Sequence, residues 1–379
     1  MSEADIDHMR RAIEISRRAP YTSPNPRVGA VLVRDGGVIG EAWHEGSGTA
    51  HAETIALDGV DAVGATMYVT LEPCTHRGNT GPCAPAVAEA GVGRVVVGLE
   101  DPDPRVAGNG ITYLRDSGVR VDTGVCDVEI SDLLAPYLKH RRTARAFLTL
   151  KLAAGLDGRI AAADGTSRWI TGPETRAYVH ARRVEADAVL IGVGTALADD
   201  PSLTARNSGA VRQPVRIVVD AGGHVTTDLS LMRGTGETLA PTRRPDGTFG
   251  RARHPAVIIA TTSSVGHETK LAWKSAGAEI VDIPPSDDGV DVGALLDTLG
   301  KRGFTEVLCE GGAQLATSLL RAGLVDRLEI HVGGVLFGDG GRQIGDLGIE
   351  TIADAPRWRR VSTIASGDDS ILIYEPERD

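Results

Sequence analysis

The sequence predicts two α/β domains in series. Three observations carry this reading. The chain has 379 residues, more than a single hydrophobic core usually serves. Short apolar runs alternate with helix-period segments from end to end. The alternation pauses once, after the basic run Lys139-His140-Arg141-Arg142, and resumes at Phe147. The expected domains are therefore 1–145 and 146–379.

In the first domain, Ile6, Met9 and Ile13 share one stripe of a helix over 6–18. Val28–Val33 and Val38–Trp43 form a hairpin about Asp35-Gly36-Gly37. A helix opens at His51 and runs to about Val60, and Met67–Leu71 is the next strand. A helix from Cys83 to Ala90 ends at Gly91. Strands at Arg94–Leu99 and Val119–Val125 flank a helix near 110–117, and a last helix covers 129–145. Its basic end reads as a solvated terminus that complements the helix dipole, in preference to a phosphate site. The second domain restarts with a strand at Phe147–Leu152. Further strands fall at 187–193, 214–220, 255–261, 278–283, 305–309, 325–336 and 358–375, the last a hairpin about 366–369. Helices near 173–185, 266–276, 291–301 and 313–322 separate several of them. Residues 232–254 are polar and rich in Gly, Pro and Arg, and read as a surface loop or disordered insert.

Composition narrows the function. Forty Lys and Arg oppose 51 Asp and Glu, a formal charge of −11 that counts against nucleic acid as a partner. Aromatic residues are too scarce for a base-stacking platform. The start, Met1-Ser2-Glu3-Ala4-Asp5, has no signal-peptide core, and no apolar run is long enough for a membrane span. A cytoplasmic enzyme with no membrane association is expected. Of four cysteines, Cys126 and Cys309 sit in apolar, strand-like contexts and read as buried free thiols.

The other two belong to the most informative pattern in the chain. His51-Ala52-Glu53 is followed by Pro73-Cys74 and Pro82-Cys83. One His and two Cys can hold Zn²⁺ and leave its fourth position open. A metal so held lowers the pKa of a bound water toward neutrality. Glu53, not itself a ligand, can move protons between that water and a leaving amine. This order of residues is the signature of zinc-dependent nucleobase deaminases. Eight residues separate Cys74 from Cys83, so the loop must fold back to bring both to one metal. A closed structural site with His76 as fourth ligand is the alternative, and such a site has no use for a carboxylate beside the histidine. Both halves of the site are expected at helix N-termini, where the dipole favours negative charge.

The second domain contains neither a dinucleotide-binding G-x-G-x-x-G nor a Walker A motif. A phosphate cradle is conceivable at Glu310-Gly311-Gly312-Ala313-Gln314-Leu315, where a strand turns into a helix. Polar residues also cluster between Lys151 and Arg206. Taken singly each has a plain reading: Trp169 as core, Lys151 and Arg183 as solvated or ion-paired, Asp200-Pro201 as a turn.

Taken together the motifs resemble one family, the bifunctional riboflavin-biosynthesis enzymes that fuse a pyrimidine deaminase to a pyrimidine reductase. The residues that carry the resemblance are Asn25-Pro26-Arg27-Val28-Gly29-Ala30, His51-Ala52-Glu53, Glu72-Pro73-Cys74, Gly81-Pro82-Cys83 and Asp101-Pro102. In the second half they are Lys151, Asp157-Gly158-Arg159, Ser167 through Thr171, Leu197 through Arg206, and Glu310-Gly311-Gly312. The long spacing between the cysteines is a feature of the family. The resemblance implies a cytidine-deaminase-like α/β/α sandwich followed by a dihydrofolate-reductase-like α/β domain, with Zn²⁺ and NADPH as cofactors. It implies hydrolytic deamination of a phosphorylated pyrimidine, then reduction of its ribosyl group. His51, Cys74 and Cys83 would hold zinc, Glu53 would shuttle protons and Asn25 would touch substrate. In the reductase, substrate would meet Ser167, Arg183, Leu203, Arg206 and Glu310. NADPH would meet Ala153, Trp169, Thr195, Asp199, Gly312, Ala313, Gln314 and Leu315. Lys151 and Asp199 are candidates to act on the opened sugar, and a homodimer or homotetramer is expected.

Three positions depart from the family pattern. Asn79 and Asn109 stand where basic residues are common, with Arg77 close enough to replace the first. Asp103 stands where the family has Asn. Positive charge is thereby removed from the deaminase pocket. The alternatives are a deaminase for a related pyrimidine or guanidine-like substrate with an altered or inactive reductase domain, a nucleic-acid deaminase, and a zinc-stapled interaction module. Glu53 argues against the last.

Overall fold

In the computed structural model, residues 2–76, 81–206, 212–233 and 236–377 are described. The chain divides into two compact units, Met1–Ala144 and Arg145–Asp379. No helix among the described residues is long and apolar enough to cross a membrane.

The first unit is built on a five-stranded sheet. Its strands are β1 (Gly29–Arg34), β2 (Gly37–Trp43), β3 (Thr66–Leu71), β4 (Arg94–Leu99) and β5 (Arg120–Thr123), in the order β2-β1-β3-β4-β5. The β1 strand runs antiparallel to both neighbours, and β3, β4 and β5 are parallel. Five helices accompany it: α1 (Glu3–Ser16), α2 (Ala52–Ala56), α3 (Cys83–Glu89), α4 (Asn109–Asp116) and α5 (Asp127–Thr143). Two glycines fix the layering. A Cβ on Gly29 would lie 2.0 Å from the Ala12 carbonyl oxygen of α1, and one on Gly40 would lie 2.4 Å from that of Ala56 in α2. Gly40 pairs with Leu32, of opposite parity to Gly29, so the two helices cover opposite faces of the sheet. This is an α/β/α sandwich. The α1 helix begins earlier than its apolar stripe suggests because Ser2 and Asp5 form a capping box.

The second unit has a nine-stranded sheet. From one edge its strands are Glu279–Asp282, Val257–Thr261, Val215–Val219, Ala188–Gly192, Glu306–Cys309, Phe147–Gly155, Arg327–Gly333, Asp369–Pro376 and Trp358–Ser366. All neighbours are parallel until the last two strands, which are antiparallel. Helix α6 (Pro173–Glu185) has Pro at its first position, where the missing N–H is harmless.

Several expectations need correction. Residues 237–243 and 249–255 form a β-hairpin rather than a loop or disordered insert. Its inward positions are the small side chains Thr238 and Ala240, too weak a signal to read as alternation. Val193–Asp199 is a helix that the sequence leaves unassigned, its start masked by Gly192 and Gly194. The α2 helix stops at Ala56 instead of running to Val60. Cys126 lies outside any strand, in left-handed conformation just before α5, and is only partly buried. The basic end of α5 is not a solvated terminus throughout. His140 and Arg141 are buried, with the Arg141 guanidinium 4.8 Å from the Tyr137 ring and 3.5 Å from Asp103.

Candidate active sites

In the first unit the predicted ligands converge. His51 is the residue before α2, in extended conformation, and Cys83 opens α3. Cys74 follows β3, and its carbonyl accepts the Ala84 N–H at 3.0 Å, which ties the loop to the start of α3. The donor atoms of His51, Cys74 and Cys83 lie within 4.8 Å of one another. Nδ1 of His51 is 3.1 Å from Cys83 Sγ and 3.6 Å from Cys74 Sγ. Zinc with N at about 2.0 Å and S at about 2.3 Å needs edges close to these. Both cysteines are buried. The hydrogen bond from Cys83 pulls the Cys74 thiol down, toward the thiolate that binds metal, while the same bond and burial push Cys83 up. No further His, Cys or carboxylate joins the set among the described residues, so zinc held by these three would keep one coordination position for water. Glu53 is 3 % exposed, and burial pushes its carboxyl up, the direction a proton shuttle needs.

The surrounding shell is well braced. Glu72 accepts four backbone N–H groups, from Asp101, Gly108, Gly110 and Ile111. A Cβ on Gly110 would stand 1.9 Å from the Pro73 carbonyl oxygen, so only glycine lets α4 approach the strand end that carries Cys74. Asn25 Nδ2 is 3.0 Å from Nε2 of His44, whose other ring nitrogen is 3.1 Å from the Ala50 carbonyl. His44 is buried and packs edge-on to His51 at 5.4 Å. Sequence reading missed it, because a lone His after a strand carries no spacing signal. Asp103 brings no free charge to the pocket: Arg105 grips both its oxygens, at 2.9 and 2.6 Å, and Arg141 lies 3.5 Å away. Asn109 is exposed at the start of α4, while Arg77 and Asn79 lie outside the described residues.

Burial raises Asp101 to about 6, although Asp103 N–H and the Tyr137 hydroxyl both donate to it. A carboxyl raised on folding destabilises the fold as it ionises, so stability is lost as pH climbs from about 4 to about 6. Asp101→Asn is expected to gain on wild type across that interval, on the order of 2 kcal/mol, and to hold the gain above it. Denaturant titrations at several pH values measure this; a gap independent of pH would contradict it.

In the second unit one cavity of about 1460 Å³ runs along the C-terminal ends of the parallel strands. Every reductase-site residue expected from the sequence lines it: Lys151, Ala153, Ser167, Trp169, Arg183, Thr195, Asp199, Leu203, Arg206, Glu310, Gly312, Ala313, Gln314 and Leu315. Trp169 is 71 % exposed at the rim rather than core, with Arg176 stacked over its ring at 4.5 Å. Thr195 Oγ1 accepts the Gly312 N–H at 2.9 Å, and a Cβ on Gly312 would crowd that oxygen at 3.0 Å. Helix Val193–Asp199 and helix Ala313–Arg321 thus present adjacent N-termini to the cavity, a place suited to anions. Leu203 is 2 % exposed with φ 51°, a costly conformation for a bulky residue and one that concentrates at binding sites. Arg183 is not free to grip a phosphate, since Glu310 takes it at 2.6 and 2.9 Å and the Thr204 carbonyl at 3.0 Å. Arg206 is exposed, and among the described residues none clamps its guanidinium in this way. Asp220, another lining residue that sequence reading passed over, shapes its loop by accepting N–H groups of Gly222, Gly223 and Val225.

Comparison with known proteins identifies both units. Residues 2–99 match the cytidine and deoxycytidylate deaminase zinc-binding region, and residues 146–372 match the RibD C-terminal domain. The chain is 37 % identical over 376 residues to riboflavin biosynthesis protein RibD of Aquifex aeolicus, covering 98 % of this chain and 99 % of that one. It belongs to the RibD family. Its likeness to RibD of Escherichia coli is 38 % over 371 residues, covering 94 % and 95 % of the two chains. Among solved structures, Acinetobacter baumannii RibD superposes with a TM-score of 0.83 at 34 % identity and covers 99 % of both chains. A Thermotoga maritima protein named a diaminohydroxyphosphoribosylaminopyrimidine deaminase/5-amino-6-(5-phosphoribosylamino)uracil reductase gives 0.82 at 31 % identity, covering 98 % and 99 %. As a RibD-family member the chain is a bifunctional enzyme of riboflavin biosynthesis, a zinc-dependent deaminase and an NADPH-dependent reductase.

Proposed function

We propose that the first unit removes the 2-amino group of 2,5-diamino-6-ribosylamino-4(3H)-pyrimidinone 5′-phosphate. The second unit then reduces the ribosyl group of the resulting 5-amino-6-(5-phosphoribosylamino)uracil to ribityl. The observation that supports this best is a three-ligand set, open at one position, beside a buried carboxylate that is no ligand. His51, Cys74 and Cys83 would hold zinc, which would lower the pKa of a bound water. Glu53 accepts that proton as the water oxygen bonds to C2, then gives it to the departing amine, so ammonia leaves and a carbonyl remains. His44 and Asn25 hold the loop that aims His51.

NADPH bound in the cavity of the second unit would supply a hydride to the ribosyl C1′. The ring oxygen released as its bond to C1′ breaks would need a proton. Lys151 lines the cavity beside Glu310 and is our candidate donor. Arg206 is the cation we assign to the substrate phosphate, because Arg183 is already taken by Glu310. Arg206→Ala is expected to raise the reductase KM about tenfold or more, with deamination unchanged. Steady-state kinetics of both half-reactions tests the assignment, and equal damage to deamination refutes it.

A further inference from the structure

Beneath helix α6 the central strands carry a buried charged stripe. Parity puts Lys151, Glu306, Arg327, Glu329 and His331 on one face of the sheet. Lys151 and Glu329 are direct neighbours across paired strands, Phe147–Gly155 and Arg327–Gly333. From α6, Arg182 reaches Glu329 Oε1 at 3.0 Å and Glu306 at 2.7 Å, while Arg183 occupies both oxygens of Glu310. Arg327 pairs with Glu375 at 2.6 Å. Three guanidinium groups thus face four carboxylates, Glu306 and Glu329 buried and Glu310 and Glu375 partly so. At the rim, Glu185 and Arg359 add one charge of each sign. One negative charge remains unmatched.

Its location is visible. Glu329 is 1 % exposed, and its Oε2 has no hydrogen-bond partner among the described residues. The nearest cationic candidate on its own strand is His331, whose Nε2 is 3.8 Å away, too far to bond. Neither ring nitrogen of His331 has a partner, and the ring packs edge-on to Tyr178 at 5.6 Å. Burial pulls His331 below its ordinary value, so it is neutral near pH 7. Tyr178 is pushed up by burial and His180 down by burial, so neither brings charge. Arg182 keeps Glu329 an anion at about 2 in spite of its burial. Arg327 also acts on Glu329 from the same strand face, and the cation paired with Glu329 across the strands is Lys151, whose ammonium burial alone would discharge and which Glu310 supports more strongly than Glu329 does.

We propose that Glu329 is a positioning residue for the reductase: its unmatched oxygen holds Lys151 as an ammonium ion at the cavity floor, and neutral His331 leaves that charge to Lys151. The inference rests on the reading of the cavity as the reductase site. The chain has five lysines, so ¹³Cε-lysine NMR of the cofactor-free full chain resolves each, with Lys151 assigned from Lys151→Arg. Wild-type Lys151 is expected to be charged at pH 7. In Glu329→Gln its midpoint falls by a pH unit or more, a tenfold loss of proton affinity, and in Glu329→Asp most of it returns. The alkaline limb of reductase kcat moves in step with the midpoint, while KM for NADPH changes less than about threefold. A neutral Lys151 in wild type overturns the proposal, as does a folded Glu329→Gln with the wild-type midpoint. Should Glu329→Gln not fold, the wild-type titration decides. Lys151→Met separates the two claims: retained reduction with the expected NMR titration removes Lys151 as donor and leaves the role of Glu329 in charge balance standing.

Discussion

Glu53→Gln abolishes deamination, with a fall of at least about a thousandfold, while zinc content and NADPH-dependent reduction stay at wild-type levels. The amide has nearly the shape of the carboxyl, so the buried pocket, 3 % exposed at this residue, keeps its packing. It cannot take a proton from water and return it to an amine. Glu53 is not among the three converging ligand atoms, so metal binding does not depend on it. Turnover of each half-reaction, together with zinc analysis, checks the prediction. Loss of both activities in a folded, zinc-loaded variant would mean that the two sites are not separate.

Lys151→Met is the mirror experiment. Methionine replaces the aliphatic stem of lysine without its charge, and the side chain lies in a strand whose other face is core. Reduction falls by roughly a hundredfold to ten-thousandfold, the usual worth of a positioned proton donor. Deamination in the first unit is unchanged. An intact kcat for reduction would move the donor role elsewhere along the cavity, with Asp199 the next candidate.

How far the sequence reveals these sites depends on what each residue requires. His51, Glu53, Cys74 and Cys83 are legible because metal chemistry demands particular residue types at constrained positions. The two sheets are legible because their strands are runs of Val, Ile and Leu bounded by glycine. The hairpin of 237–243 and 249–255 is not, since its buried side chains are small and its exposed ones, Glu237, Leu239, Arg243 and Arg253, mix charge with leucine. Helix Val193–Asp199 hides behind two glycines that serve the approach to the cavity rather than end a helix. Pairings are hidden for another reason. By the resemblance Arg183 and Glu310 are both substrate contacts, yet 127 positions apart they bind each other, the ion-paired state that Arg183 suggests when read singly. The same holds for Asp103, whose charge looks out of place until Arg105 and Arg141 are seen around it. A buried histidine such as His44 or His331 announces nothing in one dimension, because its meaning lies in which neighbours it lacks or meets.

The most direct test of two independent sites, one of them built on an open three-ligand zinc centre, is a chelation experiment on the full chain with both activities followed together. The account predicts one zinc per chain, its removal with loss of deamination and recovery of both on adding zinc back. NADPH oxidation with the deaminated pyrimidine continues throughout. Stoichiometric metal that survives in Cys83→Ala, or a reductase that fails in step with the deaminase as zinc is withdrawn, would contradict it.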